Sequence, residues 1–374
     1  MDAARRIQII TSVYSPDVAG PGVYFSSLKT ELEKRGRKVE VLVRPSFFAV
    51  LSTVQKGDIV LAHATPKILL TVFLARLCKK FKFVVRIGGD YFWERAVERG
   101  RFFGTLGDFY AQKRFTTKDQ CIAGLMGVAL RGSDGVIFTS SLLRDSYIPF
   151  FGLDEKKVYT ITHPVLKIPS NVIARSETTK QSVPTERLPR SLAVARNDKN
   201  GTRLIYAGRF LKLKNLHLLL EVFAEMRKKY PNITLTLIGE GPEKQRLAVR
   251  VEGLGLKSAV IFKEPMNRDT ILEEIAAHDL VVLPSLSEVS PNLLMDALAA
   301  STPFLATQEN GLREVLEDTG TWFDPMSKED FSEKLEALLS PGALEKAREC
   351  ITSSSYRKTW KEVAEEYKNI FKSL

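Results

Sequence analysis

Short apolar runs alternate with longer amphipathic stretches along most of this chain. IQIITSVYSP begins as a strand and runs into a loop, and residues 23–35 read as a helix that stops at Gly36. VEVLV, DIVLAHA, FKFVVRIG and GVIFTSS follow as further short apolar runs, with helical segments between them. A second series opens with TRLIYAG and continues through ITLTLIG, AVIFK and LVVLPS. Its helices are expected over residues 216–230, 243–252 and 268–278 and from Pro291 onward, and the chain is mostly helical after Gly342. Strands that are apolar throughout and are separated by helices belong to parallel sheets covered on both faces. The fold class is therefore α/β, with two doubly wound domains. Residues 171–200 are polar, with scattered prolines and charges, and read as a linker or loop. The expected domains are 1–170 and 201–355, with a terminal helical segment over 356–374.

At 374 residues the chain is long enough for two such cores. No run reaches the roughly 18 apolar residues of a membrane-spanning helix. The longest candidate, residues 68–78, ends in Lys79 and Lys80. The N-terminal apolar run is short and reads as a first strand rather than a signal peptide. Cys78, Cys121 and Cys350 are widely spaced and odd in number, which fits a reducing cytoplasm. The formal charge is +11, and it is unevenly spread. Residues 1–170 carry 26 Lys and Arg against 15 Asp and Glu, whereas residues 201–350 carry 18 against 23. The basic first half suits an anionic membrane surface, a phosphate-bearing acceptor, nucleic acid, or no partner beyond water. Its basic residues are not interleaved with aromatics in a stacking pattern, which argues against nucleic acid.

The segment PSLSEVSPNLLMDALAASTPFLAT, residues 284–307, is the most specific chemical signal. Ser290 is placed to cap a helix whose first position is Pro291. The free N–H groups at Asn292 and Leu293, with the helix dipole, would make an anion site. Glu288 lies just before that site and Asp296 about two turns from the cap, so both can accept hydrogen bonds from hydroxyls. A diphosphate on the N–H groups with sugar and ribose on the carboxylates describes a nucleotide-sugar.

Other positions are individually weaker. Arg209 and Lys214 follow a strand and are spaced to converge on one anion, or are two solvated cations. Gly20 and Gly22 open a strand-to-helix loop that is a phosphate site or a tight turn. Gly239 and Gly241 form a second such turn. Lys263, Glu264 and Pro265 lie where a loop would hold a base. Asp90 follows Gly88 and Gly89 and either accepts a substrate hydroxyl or caps the next helix. The four histidines show no metal spacing, and GxSxG, GxxxxGKS, HExxH and GxGxxG with a downstream acid are missing.

Taken in order, the Gly20/Gly22 loop, GRFLKLKN, LIGEGP, the 284–307 block and a terminal helix with Trp360 and Tyr367 resemble family-four glycosyltransferases of the GT-B fold. The resemblance implies two Rossmann-like domains facing a cleft, with the terminal helix crossing back to the first. It implies a retaining, metal-independent transferase that needs no cofactor beyond a UDP-, GDP- or ADP-linked sugar. Glu288 would hold donor-sugar hydroxyls with Ser290 nearby, and Asp296 stands where the family has a ribose-binding Glu. Val289 replaces the usual Gly. Arg209, Lys214, Asn292, Leu293, Gly20 and Gly22 would bind the diphosphate, and residues 263–265 the base. Asp90 and Glu288 are the catalytic candidates. The acceptor, a saccharide or lipid-linked hydroxyl of surface polysaccharide, lipopolysaccharide or glycolipid synthesis, would sit on the basic first domain. The enzyme would be cytoplasmic, at the inner face of the membrane. The alternatives are a nucleotide-sugar epimerase on the same fold and a non-catalytic glycan- or nucleic-acid-binding module; a phosphorylase lacks its lysine context.

Overall fold

A computed structural model of the protein describes residues 5–14, 20–165 and 201–374, so the expected linker at 171–200 lies outside the described residues. The chain forms two compact units, one of residues 1–164 with 358–374 and one of residues 165–357.

The first unit is built on six parallel strands: β1 (Ile7–Thr11), β2 (Val39–Val43), β3 (Ile59–His63), β4 (Lys82–Ile87), β5 (Gly135–Phe138) and β6 (Val158–Thr160). Their order is β2-β1-β3-β4-β5-β6, so the winding reverses between β1 and β3. Its helices are α1 (Pro21–Glu33), α2 (Phe47–Thr53), α3 (Pro66–Cys78), α4 (Tyr91–Glu98), α5 (Leu106–Ala111), α6 (Thr117–Arg131) and α7 (Ser141–Phe151). All five residues of β1 are buried, as a strand covered on both faces requires. Alternate strand residues Ile7, Ile9, Ile59, Leu61, Val84 and Ile137 meet Tyr24, Phe25, Leu28 and Leu32 of α1. Helix α1 starts at Pro21, two residues before the expected start. Proline is tolerated there because a first-turn N–H has no helical acceptor.

The second unit has strands β7 (Arg203–Ala207), β8 (Thr234–Ile238), β9 (Val260–Lys263), β10 (Leu280–Leu283), β11 (Phe304–Thr307) and β12 (Thr321–Phe323). All are parallel, in the order β12-β11-β10-β7-β8-β9. The winding therefore reverses between β7 and β10, and open sheets of this kind bind ligands beyond the carboxyl ends of the strands at the reversal. The helices are α8 (Leu216–Lys229), α9 (Lys244–Gly253), α10 (Arg268–Ala277), α11 (Asn292–Ala299), α12 (Lys328–Leu339) and α13 (Ala343–Ser353). The last helix, α14 (Trp360–Ser373), belongs to the first unit. Thr359 and Glu362 close a capping box at its start, and Val363, Tyr367, Ile370 and Phe371 join the α1 core. Tyr24 donates its hydroxyl to that of Tyr367 at 3.2 Å.

Candidate functional site

At the reversal of the second sheet, the loops after β7 and β8 cross at backbone contact. Gly208 N–H donates to Ile238 at 2.9 Å and Phe210 N–H to Glu240 at 2.8 Å. Gly239 and Gly241 make this crossing possible, with φ of 147° and 155°. A Cβ on Gly239 would lie 1.9 Å from the Gly208 carbonyl oxygen, and one on Gly241 2.3 Å from that of Phe210. The β7 loop then turns through a short 3-10 segment, Lys212–Lys214, and Asn215 takes a left-handed φ of 52° while donating to the Pro325 carbonyl. Arg209 is left exposed and forms no ion pair among the described residues, whereas Lys214 turns inward.

The loop after β10 meets the β7 loop directly, since Leu286 N–H donates to Leu213 at 2.9 Å. Glu288 is pinned by its backbone on a third loop: its N–H donates to Glu309 and its carbonyl accepts from Gly311, both at 2.8 Å. Its side chain is 9% exposed, and its carboxylate accepts from the Ser285 hydroxyl at 2.6 Å and forms an ion pair with Lys214. A carboxylate this buried needs such partners. The buried Tyr206 phenol is pushed up by burial first and by the Glu288 charge second, and it donates to the Arg209 carbonyl at 3.0 Å. Strand β7, its loop and the β10 loop thus bring Tyr206, Lys214, Ser285 and Glu288 together, with Arg209 joined to them through its backbone carbonyl.

Helix α11 follows. Pro291 is its cap rather than its first residue, with φ −76° and ψ 86°, and no side chain caps it. The expected Ser290 cap is therefore corrected. The extended ψ of Pro291 places it outside the helix, and its carbonyl accepts from Leu294 and Met295 instead. The N–H groups of Asn292 and Leu293 open the helix and have no acceptor within it. One turn on, Asp296 Oδ1 accepts from Arg268 Nη2 at 2.8 Å. Burial pushes the Asp296 carboxyl up, and Arg268 acts against it. At the proposed base segment, the Lys263 carbonyl accepts from Gly239 N–H at 3.0 Å. The Lys263 amine pairs with Glu274 at 2.7 Å, and Glu264 with Lys244 at 2.8 Å.

The first unit gives a different outcome for Asp90, which is 1% exposed and caps α4 by accepting from Trp93 N–H at 2.5 Å. Its other oxygen accepts from Tyr110 at 2.5 Å and Tyr147 at 2.9 Å. Burial pushes its carboxyl up and these donors act against it. Asp90 thus takes the helix-capping alternative and ties α4 to Tyr110 and Tyr147. Gly20 and Gly22 cap and open α1, beside the undescribed residues 15–19. Near the ends of β3 and β4, Arg86 is 2% exposed, lies 3.5 Å from the Tyr24 ring centroid and donates to His163 Nε2 at 3.2 Å. Burial and the Arg86 charge push His63 down to about 4 and His163 to about 3, so both are neutral near pH 7. Among the described residues no group of three His, Cys, Asp or Glu gathers to hold a metal, and no helix is long and apolar enough to cross a membrane.

Sequence reasoning missed Ser285, Tyr206 and Arg268. Ser285 stands three residues before Glu288 and was legible as a partner; Arg268 lies 28 residues from Asp296, and no local pattern announces it.

Residues 190–356 match the family described as glycosyl transferases group 1. That match covers a little under half of the chain. An uncharacterized glycosyltransferase of Methanocaldococcus jannaschii is 26% identical over 190 residues, 49% of this chain and 47% of the relative. A D-inositol 3-phosphate glycosyltransferase of an Arthrobacter species is 31% identical over 156 residues, 40% of this chain and 37% of the relative. The matched parts thus span less than half of either relative. The crystal structure of Anabaena HepE in complex with UDP superposes with a TM-score of 0.70 at 17% identity, over 99% of this chain and all of HepE. That likeness gives the chain the GT-B fold.

Proposed function

We propose that this protein moves a sugar from a nucleotide-diphosphate sugar to a hydroxyl acceptor with retained anomeric configuration. The observation that carries the reading is Glu288, buried at the reversal of the second sheet, paired with Lys214 and followed directly by the open N-terminus of α11. In this reading the donor-sugar hydroxyls donate to Glu288. The diphosphate lies on the Asn292 and Leu293 N–H groups with Arg209 and Lys214. Negative charge grows on the diphosphate as the sugar leaves, and groups already aimed at it lower the barrier without reorganising. The acceptor oxygen attacks the face that the diphosphate leaves, and a diphosphate oxygen takes the acceptor proton. No protein nucleophile takes part.

The UDP named for HepE supports a UDP-linked donor, and the inositol phosphate named for the Arthrobacter relative supports an acceptor that offers a polyol hydroxyl; a saccharide or lipid-linked acceptor is part of the proposal. The basic first unit is the proposed acceptor side, at the cytoplasmic face of a membrane.

Thermal shift with UDP, GDP and ADP tests the donor site. A ligand at about 100 times its dissociation constant stabilises by roughly 2.7 kcal/mol. One nucleotide should raise the melting temperature of the wild type and fail to do so in Arg209→Ala. With the matching sugar donor, Arg209→Ala and Glu288→Gln should each lose about 100-fold in transfer rate. Full activity in both variants would sink the reading. Release of a free altered sugar without acceptor would replace it with an epimerase.

A further inference from the structure

Asp296 is one methylene shorter than the glutamate the family carries, and its side chain is 14% exposed. In this chain it is met by Arg268, the first residue of α10, through the 2.8 Å contact of Nη2 with Oδ1. Arg268 lies three residues beyond the segment proposed for the base, 263–265. The charged side chains of that segment, Lys263 and Glu264, are turned to surface partners on α10 and α9. Of residues 263–268, only Arg268 reaches the α11 carboxylate. It occupies one oxygen of Asp296 and leaves Oδ2 for another donor. A guanidinium has five N–H donors in a fixed plane, so it sets the orientation of its partner more firmly than a lysine does.

We infer that Arg268 is a positioning residue of the nucleotide site: it holds the shortened carboxylate of Asp296 so that Oδ2 accepts from a ribose hydroxyl. This rests on the donor reading above. The pairing also favours the ionised carboxylate. Burial favours the neutral form, and Arg268 is the charged group that opposes it. Without the arginine, a protonated Asp296 would offer the ribose a poorer acceptor as pH falls.

The test is calorimetric binding of the nucleoside diphosphate that the wild type prefers, beside its 2′,3′-dideoxy form. A hydrogen bond to a charged group is worth about tenfold in affinity or more. The wild type should bind the ribose form about tenfold better than the dideoxy form. Arg268→Ala should bind the ribose form about tenfold more weakly and lose that preference. Asp296→Glu in the Arg268→Ala background should restore it, because the longer side chain needs no tether. As pH is lowered, the ribose-form affinity of Arg268→Ala should begin to fall at a higher pH than that of the wild type. Arg268→Gln keeps the stem and carries the same prediction if the alanine variant does not fold. A variant that keeps the full ribose preference and the wild-type pH profile overturns the inference while leaving the donor site standing. A wild type that binds no nucleoside diphosphate overturns both.

Discussion

His163 accepts from Arg86, and an arginine only donates, so Nε2 carries the lone pair and the ring proton sits on Nδ1. Protonating that ring would place a second positive charge beside a buried first one. The folded values of His163 and His63, about 3 and about 4, lie below the ordinary 6.5. Between those values and 6.5 the unfolded chain takes up protons that the folded chain refuses. Stability is therefore full above about pH 6.5 and falls as pH drops through that window. At pH 5 the loss is about 2 kcal/mol for each histidine. Denaturant titrations at pH 7.5 and pH 5 should show His163→Gln losing less stability than the wild type on acidification. Equal losses in the two proteins would remove the histidine from the account.

The element that shapes the donor site is the crossing of the β7 and β8 loops, and its glycines are set by backbone rather than side-chain space. Gly241 combines a φ of 155° with a Phe210 carbonyl oxygen 2.3 Å from where a Cβ would sit. Gly241→Ala should cost about 3 kcal/mol. That corresponds to a melting temperature about 6–12 °C lower for a unit of this size. Gly253 closes α9 with nothing within 4 Å of its Cβ, so Gly253→Ala should be neutral or raise the melting temperature slightly. Similar melting temperatures for the two variants would refute the steric argument.

The inner strands such as β1, β5 and β10 were readable because they are buried on both faces and so appear as apolar runs. The edge strands β6 and β12, three residues each, are too short to show a pattern. Glu288 and the α11 start were legible because one continuous segment supplies them. Ser290 and Pro291 fit a capping pattern that the ψ of Pro291 shifts by one residue. The Asp90 ambiguity was settled by Tyr110 and Tyr147, 20 and 57 residues away, whose approach only the packed fold creates.

Across the whole molecule, apolar exposure is uneven. Leu74 and Leu77 on α3 and Leu125 and Val128 on α6 are each about half exposed or more, and the two helices pack together. Lys67, Lys80, Lys118 and Arg131 are also exposed on or beside these helices, while Asp119 of α6 is buried and paired with Arg101. Apolar side chains bordered by cations suit the headgroup region of an anionic bilayer. Vesicles containing phosphatidylglycerol should carry the protein in flotation at low salt and release it as salt rises. The Leu77→Asp/Leu125→Asp double variant should remain unbound. Wild type that stays at the bottom of a low-salt gradient would refute membrane attachment through this surface.

Helix α14 completes the core that α1 begins, yet more than 300 residues separate the two in the chain. On the ribosome, residues 165–357 form a contiguous stretch that emerges whole and can fold as a unit. The first unit, begun earlier, waits until its last helix has left the exit tunnel. Until then the side of Tyr24 that meets Tyr367 and Trp360 is uncovered, and the nascent chain carries an open hydrophobic groove for which chaperones and α14 compete.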